Sequence, residues 1–158
     1  MRDEKGITML ILVITVILTL LIAVSATYSG IDTYKGIRVK TFSEQLKIVR
    51  ERVAVVKDKA STNSEINLNS LGKSLDELDD TLKESVTNAI NNSDELSVNS
   101  ANYRYFDSKD LKDDLGIDIE SFAVAIDFER TVVIGVYGIE YEGQVVYTQK
   151  QIDEINNK

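Results

Sequence analysis

Apolar and polar positions alternate with three different periods along this chain of 158 residues. From Ile7 to Tyr28 the run is almost wholly apolar, with no charged residue between positions 7 and 29. As a helix this stretch of about 22 residues spans about 33 Å, enough for the hydrocarbon core of a bilayer. Its polar members, Thr8, Thr15, Thr19, Ser25 and Thr27, are types whose hydroxyls can bond back to the preceding turn. A cleavable secretory signal has a shorter apolar core and a clear small-x-small site, and only Ala23-Val24-Ser25 or Ser25-Ala26-Thr27 resembles one. The run therefore predicts membrane insertion.

Beyond it the period becomes helical. Phe42, Leu46, Val49, Val53, Val56 and Ala60 recur at alternating spacings of four and three, one stripe of an amphipathic helix. Together with the apolar run they predict one helix over about residues 7–59, roughly 80 Å long. Gly30 and Gly36 are its weak points. Ser61-Thr62-Asn63-Ser64 reads as a loop. A second stripe, Leu71, Leu75, Leu78, Leu82, Val86 and Ile90, predicts a helix of about 18 residues, with Ser74 and Glu77 spaced as a capping box. Asn91-Asn92-Ser93 ends it. A short helix is expected over Ser108–Leu115, with Ser108 as cap and Gly116 as the left-handed stop.

From residue 121 the period falls to two. Phe122–Phe128, Thr131–Tyr137 and Gln144–Thr148 predict three strands of an antiparallel meander, joined at Glu129-Arg130 and at Glu142-Gly143. Residues Tyr137–Tyr141 extend the second strand or begin the third. The stripe at 42–60 is the expected cover for one face of that sheet. The fold class expected is α+β: a long N-terminal helix, half transmembrane and half amphipathic, packed on a small C-terminal antiparallel sheet. The expected organisation is a leader at 1–6, a transmembrane helix at 7–29, an amphipathic continuation at 30–60, a helical connecting region at 61–120, and the meander and tail at 121–158.

Composition narrows the chemistry. With no His and no Cys, no Ser-His-Asp or Cys-His nucleophile, thiolate redox pair, Cys/His zinc site or disulfide can form. The net charge of −8 is unevenly spread. Residues 31–60 hold eight cations against four anions, and residues 61–158 hold eight against twenty. The acidic outer region repels phosphate backbones, so nucleic acid is not an expected partner. The basic stretch could meet anionic headgroups, the acidic part of a neighbouring copy, or only water. Positive charge flanks the apolar run on both sides, so it assigns no orientation.

The start of the chain carries a resemblance. Lys5-Gly6-Ile7-Thr8-Met9-Leu10-Ile11-Leu12, a short charged leader ending in Gly before a long apolar run, resembles the class III leader of type IV prepilins and pseudopilins. The resemblance implies cleavage between Gly6 and Ile7 on the cytoplasmic side by a prepilin peptidase, then N-methylation of Ile7. It implies a filament core built from helices beginning Ile7, Thr8, Met9, Leu10, Ile11 and Leu12. The implied partners are the membrane, other pilin or pseudopilin subunits, an assembly ATPase and a platform protein. The head would be extracytoplasmic on a single-pass anchor, and at the cell surface or on a pilus after assembly. Thr8 matches the family's common second mature residue, and Ile7 replaces the usual Phe. Ile11 stands where most members have Glu, an omission typical in the family of a minor or tip subunit. The alternative is a single-pass anchored binding or sensory module that never polymerises.

Other motifs fall to blander readings. Asn67–Ser74 approaches a phosphate-binding loop, but Asn67 replaces the first Gly and no buried strand precedes it. Asp107, Asp110, Asp113, Asp114 and Asp118 lack the alternating ligands of a calcium loop and read as a solvated helix face. Asp79-Asp80, and Glu140 with Glu142, read as surface pairs rather than catalytic acids. Tyr103, Tyr105, Tyr137, Tyr141 and Tyr147 suit strand packing, with a carbohydrate or partner face as the second reading. Asn91-Asn92-Ser93 has the form of a glycosylation acceptor, which the bacterial-looking leader makes irrelevant. No catalytic residue, metal ligand or cofactor is expected.

Overall fold

The computed structural model describes residues 3–63, 66–94 and 100–157, without the side chains of residues 3–13, 21–33 and 100. It is an α+β protein. Helix α1 runs from Asp3 to Thr62, and the chain divides within it into two compact units, Met1–Arg38 and Val39–Lys158. The helical assignment is unbroken at Gly30 and Gly36, and it takes in Ser61 and Thr62, which the loop expected at 61–64 had claimed. The hydroxyls of Ser61 and Thr62 bond back to carbonyls of Asp58 and Lys59, which finishes the last turn.

The second unit is a four-stranded antiparallel sheet with a helix on each face. Strands β1 (Lys73–Ser74), β2 (Tyr103–Phe106), β3 (Val124–Asp127) and β4 (Val132–Gly135) lie in that order. Residues of one parity, Phe106, Val124, Ile126 and Val133, share a core with Val39, Phe42, Leu46, Val49 and Val53 of α1. Those of the other parity, Tyr103, Tyr105, Ala123, Ala125 and Ile134, pack with Val86, Ala89 and Ile90 of helix α2 (Asp80–Asn91). All four residues of β3 are buried. A strand covered on both faces reads as a continuous apolar run, so Val124-Ala125-Ile126 does not show the period of two expected from residue 121, and buried Asp127 at the strand's end is the polar exception.

Helix α3 (Ser108–Leu115) seals one end of the core with Leu111 and Leu115. Gly116 stops it in the left-handed region, at φ 66°, as the sequence predicts. The cap differs from expectation. Asp107, not Ser108, accepts the N–H groups of Lys109 and Asp110, because Asp107 is the residue still in extended conformation. Ser108 is inside the helix, and its hydroxyl exchanges hydrogen bonds with the backbone of Phe122.

Three further expectations are corrected. The helix expected across the stripe from Leu71 to Ile90 exists only as α2. Gly72 turns the chain at φ 60°, Lys73 and Ser74 pair with Tyr105 and Arg104 of β2, and the Ser74–Glu77 capping box closes a single 3-10 turn. Asp79 then caps α2 through the N–H of Leu82. The connecting region at 61–120 therefore supplies two strands as well as helices.

The expected three-stranded meander is two separate sheets. After β4, Gly138 reverses the chain at φ 59°, and β5 (Ile139–Tyr141) pairs with β6 (Gln144–Val146) as an isolated hairpin. Its turn, Glu142-Gly143, has φ of 48° and 79°, the two left-handed residues that a two-residue hairpin favours. The expected C-terminal tail is also structured. Helix α4 (Gln149–Asn156) begins at a Thr148–Gln151 capping box, and Ile152 enters the core shared with α1.

Candidate functional site

In the first unit the side chains described at 14–20 carry no charge, whereas those at 34–38 include Lys35 and Arg38. Ile14, Val16, Ile17, Leu18 and Leu20 are each about half exposed. At 100° per residue these five positions cover about 200° of the helix, and Thr15 and Thr19 fill the remaining arc, so this stretch is uncharged on every side. An uncharged helix with so wide an exposed apolar face is stable only inside an apolar medium, either lipid or other protein. The Thr19 hydroxyl donates to the carbonyl of Thr15 at 2.7 Å, so that polar group needs no water, as the sequence led us to expect. Among the described residues no helix is long and apolar enough to cross a membrane, and only residues 14–20 of the Ile7–Tyr28 run have described side chains.

Gly6, Ile7, Thr8, Met9, Leu10, Ile11 and Leu12 lie on the backbone of α1, and their side chains fall outside the described residues.

In the second unit α1 changes character. Val49 and Val53 are fully buried, while Ile48 and Val55 stand exposed among Lys47, Glu51 and other charges. Arg52 donates to the carbonyl of Leu115 at 2.6 Å, meeting the negative end of α3.

Of the acidic residues singled out in the sequence, Asp107 and Asp110 share one lysine, and Asp114 and Asp118 have partners of their own. Lys73 bridges Asp107 at 2.8 Å and Asp110 at 3.0 Å, beneath the Tyr105 ring. These hydrogen bonds, to Asp107 first, hold the Lys73 ammonium well above its ordinary range. Burial works to raise Asp107, but its bonds from Lys73 and from backbone N–H groups outweigh it and leave the carboxyl lowered. Asp114 accepts the N–H of Gly72, and Asp118 pairs with Lys112 at 2.7 Å. Among the described residues no group of three or more carboxylates is arranged to hold a metal.

Asn67–Ser74 forms a 3-10 turn and the start of β1, and its Leu71 and Gly72 carbonyls accept from the Arg104 guanidinium. That turn presents acceptors, the wrong polarity for phosphate. Asp79 is a cap, and Glu140 and Glu142 are exposed on the hairpin. Tyr103 and Tyr105 are buried, and burial pushes the Tyr105 phenol up to about 12. Tyr141 donates to Asn156, and Tyr137 is exposed.

Among the described residues, two clefts bear on binding by this unit. The larger, about 740 Å³, includes Lys57, Arg104, Asp127 and Glu129, but Lys57 is spent on the carbonyl of Glu129 and Arg104 on those of Leu71 and Gly72, just before β1. The smaller, about 330 Å³, gathers Lys47, Arg50, Arg130 and Lys150. Residues 31–60 read as basic in the sequence, but nothing there signals that residues 130 and 150 join them.

No protein-family model matches the chain, and no curated protein and no solved structure shows significant similarity to it.

Proposed function

We propose that this chain is a non-enzymatic structural subunit of a type IV pilus or secretion-type pseudopilus. It is inserted in the membrane by its N-terminal helix, cleaved after Gly6 and assembled through that helix, with the head outside the cytoplasm. The carrying observation is the change of character within one helix. The side chains described at 14–20 are uncharged, apolar and exposed over about 200° of the helix with only Thr15 and Thr19 on the rest, whereas the stripe from Val39 to Val53 is covered by the chain's own sheet. A subunit that first sits in lipid and then packs helix against helix needs that division, since both environments are apolar and neither is supplied by the chain itself. The leader Lys5-Gly6-Ile7 adds support from sequence, and Ile11 in the place of Glu favours a minor or tip position.

The test is the intact mass and N-terminal sequence of the protein from its own cells. A chain beginning at Ile7, one methyl group heavier, is expected, and Gly6→Ala is expected to abolish that processing together with filament incorporation. A chain that keeps Met1 and remains monomeric in the membrane would instead identify an anchored binding or sensory module.

A further inference from the structure

The smaller cleft is an electrostatic exception on this molecule. Lys47 and Arg50 come from α1, Arg130 from the β3–β4 turn and Lys150 from the first turn of α4, and no carboxylate lines the space they share. The region outside α1 is strongly acidic, so gathering four cations from three elements runs against the average charge. Three of the four, Lys47, Arg50 and Lys150, find little relief nearby, and Arg130 is paired. Lys47 and Lys150 reach Glu51 and Glu154 only at 4.0 Å across exposed pairs, contacts that contribute little. Arg50 has no ion pair among the described residues. Arg130 is held at the turn by buried Asp127, whose Oδ2 lies 3.8 Å from the guanidinium and whose Oδ1 accepts the Arg130 N–H.

The walls between these charges are Leu46, Val132 and Val133, which lower the local dielectric and concentrate the field in the groove. Of the first N–H groups of α4, which open at the same place, that of Gln151 is taken by the Thr148 hydroxyl, and those of Gln149 and Lys150 lack intrahelical acceptors. A space of about 330 Å³ is at the small end of ligand pockets and admits a phosphate group together with its hydration water, not the broad face of another protein. Two guanidinium forks and two ammonium groups match the bidentate and point-charge contacts that phosphate oxygens accept.

We propose that the groove between α1, the β3–β4 turn and the start of α4 is a binding site for phosphate-group anions, with Arg50 and Arg130 as its principal contacts. The phosphate belongs either to a free ion or to an anionic lipid headgroup.

The test is calorimetric titration of inorganic phosphate into the full chain in dodecyl maltoside, against sodium chloride at equal ionic strength. Saturable binding beyond the chloride control is expected. Arg50→Ala and, separately, Lys47→Ala should weaken it, the former about tenfold or more for the loss of a charge-assisted contact. Lys112→Ala, outside the groove, should leave it unchanged. Both groove positions are exposed on α1, and an unchanged unfolding midpoint verifies that each variant folds. The source is read by repeating the titration in nanodiscs of phosphatidylcholine with and without phosphatidylglycerol. Suppression by phosphatidylglycerol identifies a lipid headgroup, and equal binding in both identifies a free ion. Heats no larger than the chloride control, or binding that Arg50→Ala and Lys47→Ala do not weaken, would overturn the proposal. So would concentration-dependent self-association that needs Arg50 and ignores phosphate, because the groove would then be a contact between copies.

Discussion

Residues 14–20 and residues 39–53 belong to one helix and obey opposite rules. In the first stretch the apolar side chains spread over about 200° of the helix and are exposed; in the second, Val39, Phe42, Leu46, Val49 and Val53 form one stripe of about 80° that is buried. The backbone is helical in both. What differs is where the cover comes from. The second stretch finds its cover in β2, β3 and β4 of the same chain, and the first must find it elsewhere. Helical conformation thus says little about this protein's α1, and the angular distribution of apolar residues says most.

If that comparison is right, truncations at buried positions of the head should be costly and truncations at 14–20 nearly silent. Phe106 is fully buried and meets Phe128 edge-on at 6.0 Å. Phe106→Ala should destabilise the head by about 3–5 kcal/mol, read by urea unfolding of the full chain in neutral detergent. Leu46→Ala, on the α1 side of the same core, should cost about 2–4 kcal/mol in the same assay. A smaller loss is expected from Gly135→Ala, about 1–3 kcal/mol. A Cβ at Gly135 would stand 2.5 Å from the Phe42 ring, so Phe42→Leu in the same chain should recover part of that loss.

The Lys73–Asp107 pair sharpens the boundary of the core rather than its centre. Asp107 has a lowered carboxyl, so its contribution is complete above the ordinary carboxylate range and fades as pH falls below about 4. Lys73 is raised, so its contribution is complete below the ordinary lysine range and fades only in strong alkali. Both side chains are more than a third exposed, and Asp107→Asn should therefore cost at most about 1 kcal/mol at neutral pH. The wild type should lose that margin on acidification, and the variant should not. Smallest of all, Ile17→Ala should change head stability by less than about 0.5 kcal/mol. A loss at Ile17 as large as that at Leu46 would end the distinction between the two stretches.

The long helix and its stripe were legible because a 3.6-residue period sustained over many turns fits a helix and little else. The Gly116 stop and the Glu142-Gly143 turn were legible because each uses a left-handed residue where its motif demands one. The stripe from Leu71 to Ile90 misled because leucines spaced by three and four also suit successive turns. Leu75 and Leu78 reach the core from a 3-10 turn and its cap, with β1 just before them. Strand β2 went unseen because Arg104 interrupts Tyr103, Tyr105 and Phe106, and its polar end is matched by carbonyls more than thirty residues earlier in the chain. The groove cations were illegible for the same reason. Residues 47, 50, 130 and 150 meet only through the tertiary fold, which no local pattern encodes.

The use of α1 as one wall of the sheet also sets a timetable for synthesis. Val39–Val53 is made first among the core segments, yet its partners extend to Val146 and Ile152, and Ser43 donates to Gln149 across 106 positions of chain. Contacts of such sequence separation form late, because closing the intervening loop costs entropy before any of them contributes. The emerging chain must therefore hold a bare apolar stripe, already helical or not, until nearly its last residue is made. For that interval the stripe is the part of the head most open to a chaperone, a protease or another copy of itself.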